Sequence, residues 1–256
     1  MEKAKEKQPE VLLEGKELKK TFRTKEKENE ALRGVDFCLY PGEVLGVVGE
    51  SGSGKSTLLR VISGLEQPDG GTLIHKGKDY LGSAPRKTGE FLQILFQDAA
   101  GSFDPRMCME RSILECRRGK KDPERMREVL RMVGLTEDLL QHRPGQLSGG
   151  QCQRMAIARA FYSGAEILLC DEMTSSLDVS TQAQVMEIMR QLKEEGKISA
   201  IFVSHDIALV ASICDRIMVM KDGRCVEEGR TKEVIRCPQE AYTKELIESA
   251  GKQSME

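Results

Sequence analysis

The stretch EVLGVVGESGSGKST, Glu43 to Thr57, decides the fold. Glu43 to Val48 is a short apolar run of the kind a buried strand carries, and a glycine-rich loop follows it directly. Residues Ser56 to Leu65 then read as a helix, ended by Gly64 and the Pro68-Asp69-Gly70-Gly71 turn. Strand, loop and helix in that order are the context a phosphate-binding loop requires. Gly49-x4-Gly54-Lys55-Ser56 fills every position of that pattern. Its glycines let successive backbone N–H groups turn inward around a phosphate without side-chain clash, and the helix opening near Lys55 adds its positive dipole end. Lys55 is placed to reach the β- and γ-phosphates, and the Ser56 hydroxyl to ligate Mg²⁺. The competing reading is a flexible glycine turn before a helix; the complete motif and its flanks leave that reading little weight.

Two further motifs follow. ILLCDE, Ile167 to Glu172, is an apolar run closed by two acids, so Asp171 and Glu172 emerge at a strand's C-terminal edge, where α/β sheets bind ligands. Alone, such a pair could equally be a helix cap or a solvated turn. LSGGQ, Leu147 to Gln151, heads a helical stretch. Ser148 and the N–H groups behind it make a second anion site, since a helix N-terminus favours negative charge. A serine N-cap with glycines in a tight turn is the structural alternative, and the two roles are compatible.

Together the phosphate loop, LSGGQ and the Asp-Glu strand end resemble the nucleotide-binding subunit of ATP-binding-cassette (ABC) transporters, over roughly Val11 to Ala250. The resemblance implies an α/β fold: a P-loop NTPase core with an N-terminal antiparallel β subdomain and an inserted α-helical subdomain. It implies an ATPase in which Gly49, Ser51, Gly52, Ser53, Gly54, Lys55, Ser56 and Thr57 hold ATP. Ser56, Asp171 and Gln97 serve Mg²⁺, and Glu172 polarises the attacking water as general base. His205, in the SHD triplet after the strand IFVS, falls where the family carries a γ-phosphate switch histidine. Gln97, closing ILF, falls where the family's glutamine touches Mg²⁺ or water and moves with the transmembrane partner. Ser148, Gly149, Gly150 and Gln151 would face the γ-phosphate bound by another subunit, so that two ATPs are sandwiched in a head-to-tail dimer. Asp178 in SSLD resembles the loop crossing that interface. Phe22 is the aromatic best placed to stack on adenine, with a core position as the other reading.

Met173, Cys152 and Ala99 depart from the commonest family text at positions where proline, arginine and proline are frequent; none removes a catalytic group. FQDAAGSFDPRM (Phe96 to Met107), SSLDVSTQAQV and the tail CPQEAYTKELIES are similar to ATPases serving peptide and nickel importers. The implied partners are a second ABC ATPase subunit, alike or different, transmembrane permease subunits and an extracytoplasmic substrate-binding protein. The implied location is the cytoplasmic face of the cell membrane.

Bulk properties fit these expectations. The net charge is −2, from 39 basic and 41 acidic residues, and aromatics make up 4 % with no Trp, so neither a basic field nor a stacking platform favours nucleic acid. Eight scattered cysteines without a CxxC pair read as small buried hydrophobes in a reducing compartment. No apolar stretch reaches the ~18–20 residues that span a bilayer. Residues 1–10 read as a disordered charged tail, residues 11–97 and 162–230 as the ATPase core, 98–161 as the helical lobe and 231–256 as a helical tail. His75 and His142 fall on no motif and read as solvent-facing, and the basic run Arg117, Arg118, Lys120, Lys121 as a solvated loop. A soluble ABC ATPase acting on ribosomes or DNA is the alternative from another class. Such proteins usually carry two cassettes, coiled coils or zinc modules, and this chain has none. A nucleotide switch without turnover is disfavoured by the intact Glu172 and His205.

Overall fold

Every central strand of the main sheet is apolar at successive positions, so both of its faces must be covered. The computed structural model describes residues 10–23, 28–81, 88–117 and 121–253. The expected tail at 1–9, and Arg118 and Lys120 of the basic run, lie outside them. Six strands form the main sheet in the order β10-β9-β3-β8-β7-β6. They are β3 (Val44–Val48), β6 (Leu92–Leu95), β7 (Ile167–Asp171), β8 (Ser199–Val203), β9 (Arg216–Lys221) and β10 (Arg224–Arg230). The first five pair in parallel, and β10 closes the edge antiparallel. Side chains alternate faces along each strand. Val44 and Val48 of β3, Ala200 and Phe202 of β8, and Leu168 and Cys170 of β7 enter one core; Leu45, Val47, Ile201, Val203, Ile167 and Leu169 enter the other.

The second sheet is antiparallel, ordered β2-β1-β4-β5. It is built from β1 (Leu13–Arg23), β2 (Glu28–Leu39), β4 (Gly70–His75) and β5 (Lys78–Asp79). β1 and β2 run longer than their apolar patterns suggest. Beyond the buried Leu32 their outer ends pair from Thr21↔Glu30 to Arg23↔Glu28, where backbone bonds rather than burial hold the strands together.

Helix α1 spans Lys55–Ile62 and starts one residue before, and stops three residues before, the expected Ser56–Leu65. Gly64 sits left-handed at φ 76° just past the end, which halts the helix there. The middle of the chain supplies α2 (Met109–Glu115), α3 (Pro123–Met132) and α4 (Gly149–Ser163). Asp122 caps α3 by accepting from the Arg125 N–H, with Pro123 at the first turn, as the Asp-Pro signal predicts. Helix α5 (Val179–Glu194) buries Val185, Met186, Met189 and Leu192, the stripe its spacing marks as core. Helices α6 (Ile207–Ile213), α7 (Thr231–Arg236) and α8 (Ala241–Gln253) complete the described chain. Among the described residues no helix is long and apolar enough to cross a membrane.

Of the two extra histidines, His75 is not solvent-facing. His75 stacks on Phe91 with ring centroids 3.9 Å apart, and its Nε2 lies 3.3 Å from the Glu166 carboxylate. Burial lowers its pKa, against the pull of Glu166. His142 is half-buried, with Nδ1 3.1 Å from the Asp138 carbonyl. The cysteines also divide: Cys152, Cys170 and Cys214 are buried, whereas Cys237 is exposed.

Candidate active site

The strand order β3-β8-β7-β6 aligns four C-terminal ends side by side, and the register is level: Val47 pairs with Val203, Val203 with Asp171, and Cys170 with Leu95. The glycine loop leaves β3, Ser204 and His205 leave β8, Asp171 and Glu172 end β7, and Gln97 follows β6. Four motifs spread over more than a hundred residues of sequence thus meet on one edge.

Glycines of the loop are required by their surroundings. Gly49 has φ 151°, and a Cβ there would lie 2.2 Å from the Met220 carbonyl oxygen of β9; at Gly54, with φ 107°, it would lie 2.5 Å from the Ala31 carbonyl oxygen of β2. The turn after β9 adds a brace, since Gly223 N–H donates to the Ser53 carbonyl at 3.0 Å. Lys55 is buried, and its ammonium donates back into the loop, to the Gly49 carbonyl at 2.7 Å and the Glu50 carbonyl at 2.8 Å. Burial lowers the Lys55 pKa, partly offset by Glu172, Asp171 and Glu50.

Ser56 Oγ donates to Asp171 Oδ1 at 3.3 Å. Burial raises the Asp171 pKa, an effect that the Ser56 hydrogen bond opposes and the neighbouring Glu172 charge reinforces. Two hard oxygen donors, one of them a half-buried carboxylate, fit a magnesium ion. Glu172 itself sits at φ 47°, a left-handed conformation uncommon for a non-glycine residue. Its N–H donates to the Val203 carbonyl at 3.1 Å, and its carbonyl accepts from the Ser175 N–H and hydroxyl, each at 3.0 Å. That turn aims the carboxylate at His205, with Nδ1 and Oε1 3.5 Å apart. A cavity of about 170 Å³ opens beside the pair, lined in part by Ser175, Gln182, Ser204 and Asp206. Strain of this kind at a convergent carboxylate is a mark of functional sites.

A second cluster forms where α4 and α5 begin. Ser148 Oγ accepts from the Gln151 N–H at 3.2 Å while Gln151 Oε1 accepts from the Ser148 N–H at 2.9 Å, a capping box. Asp178 caps α5, accepting from the Thr181 N–H at 3.0 Å and the Thr181 hydroxyl at 2.7 Å; that hydroxyl bond, first, holds its pKa low. The two helix starts touch, because a Cβ on Gly150 would lie 2.2 Å from Thr181 Cγ2 and one on Gly149 3.3 Å from Leu177 Cδ2. Gln97 is exposed, and its carbonyl accepts from the Ser176 hydroxyl at 2.9 Å, joining the strand end of β6 to the turn after β7. Phe22 pairs with Asn29 in the β1–β2 hairpin, two residues from the Ala31 that abuts Gly54; it is half-buried, with the Lys20 ammonium 5.3 Å from its ring.

Cys152, one of the departures from family text, exposes no thiol to the site: it is buried, and Sγ lies 3.5 Å from the Pro144 carbonyl. Met173 is fully buried. Sequence reading missed Arg159. Its guanidinium donates to the Ser102 carbonyl at 2.9 Å and hydroxyl at 3.0 Å and lies 4.2 Å over the Phe103 ring, clasping α4 to the segment after Gln97.

A family model described as ABC transporter matches residues 32–175, more than half of the chain. The chain belongs to the ABC transporter family. It is 42 % identical over 259 residues to the oligopeptide transport ATP-binding protein OppF of Salmonella typhimurium, covering 94 % of this chain and 78 % of that one. To the dipeptide transport ATP-binding protein DppF of Escherichia coli it is 39 % identical, covering 92 % and 75 %. Among solved structures, the ATP-binding cassette MJ0796, a dimer in a post-hydrolysis state with ADP and Pi, superposes with TM-score 0.75 at 31 % identity, covering 86 % of this chain and 98 % of that one. CbiO1 from Clostridium perfringens, part of the ABC transporter complex cbiONQ, gives TM-score 0.77 at 29 % identity, covering 89 % and 92 %. This ABC protein is therefore an ATPase on the ABC ATPase fold, as the resemblance in its motifs implied.

Proposed function

We propose that this ABC ATPase powers the uptake of peptides, acting in a pair of cassettes at the cytoplasmic face of a membrane permease supplied by an extracytoplasmic binding protein. The observation that carries the catalytic part is the level alignment of the ends of β3, β8, β7 and β6, which gathers Lys55, His205, Asp171, Glu172 and Gln97 on one edge. The peptide assignment is supported by relatives whose names specify oligopeptide and dipeptide transport. The pairing is supported by the solved dimeric cassettes and by Ser148 and Asp178 capping adjacent helices, ready to meet a second copy together.

In this reading Lys55 leaves the loop carbonyls for the phosphates of ATP, and the loop N–H groups from Gly52 to Thr57 take the remaining charge. Ser56 and Asp171 would hold Mg²⁺ with Gln97 nearby, and the ion when bound neutralises charge on the phosphate oxygens. Glu172 accepts the proton of the attacking water, and His205 beside it contacts the γ-phosphate. Ser148 and Gln151 present α4's N-terminus to the triphosphate of the partner, residues 98–161 carry the lobe that engages the permease, and Phe22 contacts the adenine. Glu172→Gln tests the assignment. ATP affinity should survive while phosphate release falls ~10²–10⁴-fold, the range a positioned general base supplies. Turnover at the wild-type rate would remove Glu172 as the base.

A further inference from the structure

The C-terminal helix α8 reaches back to the phosphate loop. The Tyr242 hydroxyl, 192 residues away in sequence, accepts a hydrogen bond from the Glu50 N–H at 3.0 Å. The carbonyl of that same peptide unit is Gly49 O, which accepts from the Lys55 ammonium at 2.7 Å. One planar peptide group is therefore held at both ends, by the lysine on one side and the tail tyrosine on the other. Tyr242 is anchored in turn. It is buried, the Lys221 ammonium lies 4.5 Å from its ring centroid, and Glu227 receives the Gln239 and Glu240 N–H groups that lead into α8. Burial pushes the tyrosine pKa up, which favours the neutral hydroxyl.

We propose that Tyr242 is a positioning residue for ATP, holding the Gly49–Glu50 peptide plane in place so that the loop keeps its phosphate-binding shape when Lys55 swings from its carbonyls to the nucleotide. The inference rests on the reading of Gly49–Thr57 as the ATP loop. Lys55 supplies the other fixed contact of this peptide in the nucleotide-free state, and it is the contact that ATP removes. With the hydroxyl gone, the peptide loses both of these polar contacts at that moment and is held less firmly, and part of the binding energy goes into holding it. The tail is thereby a component of the nucleotide site rather than an appendage.

Tyr242→Phe removes the hydroxyl and keeps the ring under Lys221. Titration of the full-length protein with ATP and with a fluorescent ATP analogue should give a Kd raised ~5-fold, the worth of one hydrogen bond. KM should rise by a similar factor while kcat stays within about twofold, because the bond acts on binding and not on the chemical step. A merely structural tyrosine would lower the nucleotide-free Tm and leave the Kd of the folded protein where it was; that result overturns the proposal. Amide exchange in the wild-type protein is an independent check that does not require the variant to fold. The Glu50 amide should be protected, and exchange at the free-peptide rate refutes the bond. If wild-type protein binds no ATP, and Lys55→Ala changes nothing, the loop reading itself fails. If wild type binds and Tyr242→Phe binds equally well, that reading stands and only the tyrosine's role is lost.

Discussion

Gly150→Ala should cost this protein stability although alanine is the better helix former. Gly150 is buried at the second position of α4, and an added Cβ would stand 2.2 Å from Thr181 Cγ2 at the start of α5. Thr181 has no free rotation with which to yield, because its hydroxyl donates to Asp178 Oδ2 at 2.7 Å and its N–H to Oδ1 at 3.0 Å. Turning the methyl away breaks the cap. Overpacking of this kind costs ~1–3 kcal/mol, and replacing a helical glycine returns at most ~1 kcal/mol. A net loss of about 1–2 kcal/mol lowers the melting temperature by about 2–8 °C in a chain of this size. Thr181→Ser deletes only the methyl and keeps the oxygen that serves Asp178, so it should be nearly silent alone and should rescue Gly150→Ala. Thermal and urea denaturation of the wild type, both single variants and the double variant close a cycle, and the coupling should be ~1–2 kcal/mol of rescue. ATP turnover should fall and recover in parallel, since both helix starts belong to the proposed dimer face. A Gly150→Ala protein that melts with the wild type, or a coupling below ~0.5 kcal/mol, would refute the packing argument.

Other tests follow from the same edge of the sheet. Gly54→Ala should abolish ATP binding, because its φ of 107° and the Ala31 carbonyl 2.5 Å from the new Cβ leave the loop no room; Gly52→Ala, with φ 84° and open space, should bind more weakly than wild type but measurably. Asp171→Asn should stabilise the nucleotide-free protein near neutral pH. Burial raises the Asp171 pKa, so its ionised form is disfavoured by folding; the gain should shrink as pH falls through the folded-state pKa toward the ordinary carboxylate value, as read from Tm against pH. Thiol alkylation of the native protein followed by mass spectrometry should label the exposed Cys237 first and leave Cys152, Cys170 and Cys214 unlabelled, since those are buried and their pKa values are raised by burial. Early labelling of Cys152 would contradict its packing against Pro144.

The phosphate loop, the Asp-Glu strand end and the serine that caps α4 were legible in sequence because each is a local device. Their chemistry depends on neighbours within a few residues: a glycine where φ must be positive, an acid at the last residue of an apolar run, a serine three residues before a glutamine. Element boundaries were less legible. α1 ends at Ile62, two residues before the Gly64 that the sequence marks as its stop, and the pairing of β1 and β2 extends through polar residues that carry no periodic signal. His75 looked solvent-facing because no motif contains it, yet its ring lies on Phe91, a neighbour only after β4 and β6 are placed.

What the amino-acid sequence determined by itself, then, is the set of groups proposed to bind and cleave a triphosphate and the strand or helix end on which each stands. Which of those ends are adjacent was decided by the tertiary structure. The order β3-β8-β7-β6 brings Glu172 within 3.5 Å of His205, and the packing of α4 and α8 beside the sheet brings Arg159 onto Ser102 and Tyr242 onto the Glu50 amide. Contacts across 33, 57 and 192 residues leave no trace in local pattern, because hydrophobic burial selects the sheet order as a whole and each polar pair is specified only by where that order puts its two halves.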